Sequence, residues 1–110
     1  MRLPNGDHAI IEPEKIRDYC LSESHPRGRH KARVFLAALG LTADDWPELS
    51  DALREVARDD NASPGVSDIH GNPYIIDFET ERTGRTTVVR SCWIILSGEV
   101  APRFVTCFVL

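Results

Sequence analysis

The sequence predicts an α+β domain in which two to three N-terminal helices pack on one face of a four-stranded antiparallel sheet. Three observations carry that expectation. Apolar residues in the first half recur at three- and four-residue intervals, the spacing of a helix face. In the second half they gather into β-branched and aromatic runs joined by short Gly-containing turns, the pattern of a meander. The 110 residues fit a single domain, 1–110, that can bury one core without staples. Helices first and hairpin-linked strands second is the order of an α+β fold.

The elements follow in turn. Pro13 opens a helical segment, Glu14 to Leu21, with Ile16, Tyr19 and Cys20 at helical spacing. Ser22 to Pro26 breaks it. A second helix runs from Gly28 or Arg29 to Leu39, with Ala32, Phe35, Leu36 and Leu39 as its apolar stripe and Gly40 as its stop. Thr42 and Asp45 form a capping box for a third helix carrying Trp46, Leu49, Leu53 and Val56. Pro47 falls early in it, where proline costs least.

Asp59 to Gly65 is a polar break. A short strand is expected over Val66 to His70, a turn at Gly71-Asn72-Pro73, and a strand over Tyr74 to Glu81. Thr83-Gly84-Arg85 turns into a long strand, Thr86 to Leu96. Ser97-Gly98-Glu99 turns into the last, Pro102 to Leu110. Val88, Cys92 and Ile94 share one face of the long strand; Val89, Trp93 and Ile95 share the other. One face meets the helices, and the other is expected to meet a partner, a dimer mate or a ligand groove.

The formal net charge of -4 argues against non-specific binding to duplex nucleic acid, which calls for a basic surface. The three cysteines, Cys20, Cys92 and Cys107, are odd in number and lack metal or redox spacing, so free thiols in a reducing compartment are expected. The N-terminus has no apolar signal region, and no apolar run approaches the ~18 residues of a membrane span. The expected place is the cytoplasm, without a membrane anchor. No metal site and no cofactor are expected, because the histidines show no ligand spacing with Cys, Asp or Glu and no phosphate loop is present. The acidic residues from Asp44 to Asp60 read as the solvated face of the third helix.

Against that acidic background stands His25-Pro26-Arg27-Gly28-Arg29-His30-Lys31-Ala32-Arg33, where six of nine residues are basic. Placed at the start of a helix, they point to an anionic ligand, with phosphate the first candidate. Lys31 and Arg33 flank the apolar stripe; His30 points away from it. RNA cleavage without metal needs a base for the 2′-hydroxyl, an acid for the 5′ oxygen, and cations around the phosphorane. Histidine, lysine, arginine and a hydroxyl supply those parts. The candidate catalytic set is His30, Lys31, Arg90, Arg103 and Thr106. Arg27, Arg29, Arg33 and Trp93 are candidate substrate contacts. His25 and His70 are lesser candidates in turns.

Several motifs recur together: Leu3-Pro4-Asn5, Glu14 to Tyr19, His25-Pro26-x-Gly28-Arg29-His30-Lys31-Ala32-x-x-Phe35, Val89-Arg90-x-x-Trp93-Ile94-Ile95 and Pro102-Arg103-x-Val105-Thr106. The combination resembles a small bacterial domain family similar to the C-terminal modules of polymorphic and contact-dependent toxins. That resemblance implies the barnase–EndoU–colicin–RelE-like ribonuclease fold. It also implies a groove with His30 and Lys31 from the helix and Arg90, Arg103 and Thr106 from the sheet. The chain departs from the pattern at Val34 and in the tail Cys107-Phe108-Val109.

The leading expectation is therefore a metal-independent endoribonuclease toxin, with RNA as substrate and a cognate antitoxin or immunity protein as partner. The alternative is a non-catalytic antitoxin or immunity-like module whose acidic surface covers a basic toxin. A homodimer through the doubly apolar C-terminal strands is a third reading.

Overall fold

Pro13 fixes the backbone for one helical turn and no more. In the computed structural model, which describes residues 1–110, α1 covers only Pro13–Lys15 and widens into a π turn over Ile16–Cys20. The widening is closed by Leu21 N–H donating to Ile16 C=O at 2.9 Å. α2 (Arg29–Leu39) ends on Gly40 in the left-handed region, as its sequence predicts. Leu36 departs from the predicted stripe and stands 39% exposed, while Ala32, Phe35 and Leu39 are buried. Thr42 and Asp45 close the capping box ahead of α3 (Trp46–Asp59).

The sheet is a meander in the order β1-β2-β3-β4, antiparallel throughout. It comprises β1 (Ser63–Pro64), β2 (Gly71–Arg82), β3 (Arg85–Leu96) and β4 (Arg103–Val109). The strand expected over Val66 to His70 does not form. Asp68 Oδ1 accepts the backbone N–H of His70 and Gly71, a side-chain turn that competes with extended pairing. Only Ser63 and Pro64 reach the ladder, and Val66 and Ile69 project into solvent. Gly71-Asn72-Pro73, expected as a turn, instead opens β2 and pairs with β3.

Helices and sheet share one core: Phe35 and Leu39 from α2, Leu49 and Leu53 from α3, and Ile76, Val89, Trp93 and Phe104 from the sheet. Each such side chain contributes roughly 1.5–3 kcal/mol by leaving water. Ser91 is the buried polar residue of the core face, and it is satisfied there. Its hydroxyl donates to Ile76 C=O at 2.8 Å and accepts from Trp93 Nε1 at 2.9 Å. Pairing jumps from Trp93↔Phe104 to Cys92↔Thr106, which leaves Val105 as the extra residue of a bulge in β4. No helix is long and apolar enough to cross a membrane. The result is three helices on a four-stranded antiparallel sheet.

Candidate functional site

The corner where α2 meets β4 is set by local chain geometry. In the π turn Ile16 and Cys20 are buried, and Tyr19 is half-buried beside them. His25 then caps the approach to α2: its Nδ1 accepts backbone N–H groups of Arg27 and Gly28, both at 3.0 Å. Its ring meets Tyr19 edge-on at 4.8 Å. Gly28 is required here, since a β-carbon would run into the Tyr19 carbonyl. The start of α2 is thereby clamped against the π turn, and Lys31 enters at a fixed height.

Lys31 Nζ donates to Tyr19 Oη at 3.0 Å and to Thr106 Oγ1 at 3.2 Å. It lies 4.6 Å from the Tyr19 ring centre and 5.7 Å from that of Phe108. An ammonium has three donors, and the two placed here meet neutral oxygens. No carboxylate lies within ion-pair distance. Six of the thirteen Lys and Arg side chains have carboxylate partners (Lys15, Arg17, Arg58, Arg82, Arg90 and Arg103). Of the seven that do not, four are Arg27, Arg29, Lys31 and Arg33. The unpaired cations of this acidic chain are concentrated in the stretch that leads into and opens α2.

His30, Lys31, Val34, Phe108 and Val109 line a shallow, mostly apolar recess of about 320 Å³ at this corner. Behind it, Cys20 Sγ lies 3.6 Å from Thr106 Oγ1. The Cys20 thiol is pulled down to about 7, first by the Cys107 thiol and then by Thr106 and the Lys31 charge, against the opposing effect of burial. Cys107 is driven well above its ordinary value by that same contact and by its own burial. Burial also raises Cys92, while the Arg90 and Lys31 charges oppose it.

The other candidates lie as follows. Arg27, Arg29 and Arg33 are exposed and do not line the recess, and Arg29 and Arg33 lie about 160° round α2 from Lys31. Arg90 stands on the sheet face away from the helices, cross-strand from Phe108, and grips Asp77 with two bonds of 2.8 and 2.9 Å. That contact holds the Asp77 carboxyl below its ordinary value. Arg103, at the start of β4, is likewise held by Glu99, at 2.8 and 3.2 Å. Trp93 is 1% exposed and packs edge-on against Phe104, so its indole offers no surface to a substrate.

The corner thus unites Lys31 and Thr106 directly and His30 through the shared recess, with Arg90 one residue pair away. It does not gather Arg103 or Trp93. Tyr19, Cys20 and Phe108 belong to it and were not singled out from sequence. The register of the β2–β3 hairpin was available as a signal for the Arg90 pair. With Thr83 and Gly84 as the turn, Arg82 faces Arg85, and counting outward sets Asp77 against Arg90.

A family model described as a domain of unknown function (DUF6883) matches residues 2–110. A solved chain is similar: it comes from a structure titled contact-dependent growth inhibition toxin - immunity protein complex, from Klebsiella pneumoniae 342. The TM-score is 0.69 at 17% identity, covering 92% of this chain and 99% of that one. At this identity the likeness is one of fold. No curated protein matches the chain.

Proposed function

The chain belongs to the DUF6883 family, and we propose that it is a metal-independent endoribonuclease serving as the toxin of a bacterial toxin–antitoxin or polymorphic toxin system. One observation carries this reading. The Lys31 ammonium donates to two neutral oxygens, without a carboxylate in reach, in a recess it shares with a histidine. A cation without a carboxylate partner is prepared for an anion. The fold likeness to a chain of a toxin–immunity complex supports a part in a system of that kind.

The chemistry assigns each group a task. Attack of an RNA 2′-hydroxyl forms a bond to the adjacent phosphorus and breaks the bond to the 5′ oxygen. The products are a 2′,3′-cyclic phosphate and a 5′-hydroxyl. One proton leaves the 2′ oxygen and one joins the 5′ oxygen. His30 carries out one of these transfers. Lys31 and the Thr106 hydroxyl hold a non-bridging oxygen as negative charge grows on the phosphorane. Arg90 joins them when a phosphate oxygen replaces Asp77 on its guanidinium. Arg27, Arg29 and Arg33 bind flanking phosphates. Arg103 takes no step while Glu99 holds it.

A second reading, a non-catalytic antitoxin or immunity-like module, is favoured by a specific observation. Arg90 and Arg103 already have carboxylate partners, so two of the expected phosphate ligands are occupied. Incubation of the purified chain with total RNA and a chelator separates the readings. The ribonuclease reading expects fragments ending in 2′,3′-cyclic phosphate, and their loss in the His30→Ala, Lys31→Gln double variant. Intact RNA with the wild-type chain rejects it.

A further inference from the structure

The sheet has two edges, and the one opposite Lys31 is open. Gly65 N–H donates to Pro73 C=O, and Asp68 N–H to Gly71 C=O, so odd-numbered residues of β2 turn their backbone groups away from β3. Ile75 pairs outward with Ser63, and there the outer ladder stops. The preceding chain turns aside: Ala62 bonds back to Met1, and Asn61 bridges to Arg2. The outward N–H and C=O groups of Asp77, Glu79 and Glu81 therefore have no partner within the chain.

This edge runs beside α3 along a groove formed by two adjoining recesses of about 300 and 280 Å³, which share Ala52, Glu55 and Thr80. Leu49, Ala52 and Phe78 contribute apolar surface. Asp51, Glu55 and Asp60 line it as carboxylates without a cation within ion-pair distance. An unpaired strand edge is a template for another strand. The carboxylates decide which strand.

We propose that the outer edge of β2 docks an extended, basic segment of a partner protein by strand addition. The partner's backbone completes the ladder at Glu79 and Glu81, and its Lys or Arg side chains meet the carboxylates of α3. A second copy does not fit. Edge-to-edge pairing of β2 sets Glu79 and Glu81 of the two copies against one another on the face away from the helices, and the chain's own basic run is wound into α2 from Arg29 onward. The proposal stands apart from the ribonuclease reading, because this edge lies across the sheet from β4 and leaves the Lys31 recess uncovered.

The test uses the isotope-labelled full chain and a synthetic hexapeptide alternating Lys and Val, with a Glu/Val peptide as control. The Lys peptide is expected to slow amide exchange at Glu79 and Glu81 at least tenfold, and the Glu peptide to leave it unchanged. Asp51→Lys with Glu55→Lys is expected to weaken Lys-peptide binding at least fivefold. Glu79→Pro, which removes an outward N–H and no bond to β3, is expected to abolish the protection. Lys31→Gln is expected to leave affinity within twofold. Equal binding of both peptides, unchanged exchange at Glu79 and Glu81, or resonance shifts confined to the Lys31 corner would overturn the proposal.

Discussion

Lys31 lies over the Phe108 ring and Arg90 pairs with Phe108 across the strands, yet the two cations differ in what holds them. Lys31 comes off a helix and rests on a phenol and a threonine hydroxyl. Arg90 comes off a strand and is clasped by Asp77 across the hairpin. The difference teaches what position within an element does to a cation. Lys31, with no carboxylate beside it on α2, is carried across to Tyr19 and Thr106, unlike Lys15, Arg17 and Arg58, which pair with carboxylates one to three residues away in the chain. Arg90 is set by the hairpin register opposite Asp77.

The largest expected effect breaks the helix side of this contrast. Lys31→Gln should lower RNA cleavage by about a hundredfold or more, the scale of removing one fixed donor from a developing anion. Arg103→Gln should change it less than about threefold, as a cation already neutralised. Rate measurements at saturating RNA check both.

Gly28→Ala tests how the corner is held. The new methyl meets the Tyr19 carbonyl, so thermal or urea unfolding should show a loss of about 2 kcal/mol. Unchanged stability would mean that the π turn yields easily and does not clamp Lys31.

The thiol behind the corner gives a pH signature. Cys20, drawn from 9.0 to about 7, loses its proton in the folded chain before it does in the unfolded one. Between pH 7 and 9 the unfolded chain therefore holds more protons, and stability rises by about 2 kcal/mol. Above pH 9 the sign reverses. Cys107 keeps its proton when folded and loses it when unfolded, so stability falls. Urea titrations across this range should show the maximum, and Cys20→Ala should flatten its rising side.

The smallest effect sharpens the strand side. Asp77→Asn removes the charge that occupies Arg90, so RNA affinity should rise about threefold and its salt dependence should steepen by about one phosphate contact. An unchanged affinity would show that Arg90 faces no bound phosphate even when released.

Much of this was legible in the residues. The apolar spacing of Phe35 and Leu39, the Thr42–Asp45 box and the face alternation of Val89, Ser91 and Trp93 report on local periodicity, which needs no knowledge of distant parts. The basic run from Arg27 to Arg33 was visible for the same reason. What was not legible depends on distant pairing. Tyr19 reaches Lys31 only because the helix widens at Ile16 and because Gly28 admits a close approach. Thr106 reaches Lys31 beside a bulge that no alternation pattern announces. Trp93, a candidate substrate contact in the sequence, is turned into the core; the Ser91 hydroxyl that accepts its indole N–H marks the face it takes. Asp68 suppressed a strand with a single side-chain turn.

The central claim, that the Lys31 corner is an anion site, is tested most directly by binding. The measurement is the anisotropy of a fluorescent single-stranded RNA, methylated at its 2′ oxygens so that it cannot be cut, titrated with wild-type and Lys31→Gln chains over a range of salt. A tenfold weaker affinity for the variant, with a salt slope shallower by about one contact, is expected. Equal affinity and equal slope for the two chains would contradict the claim.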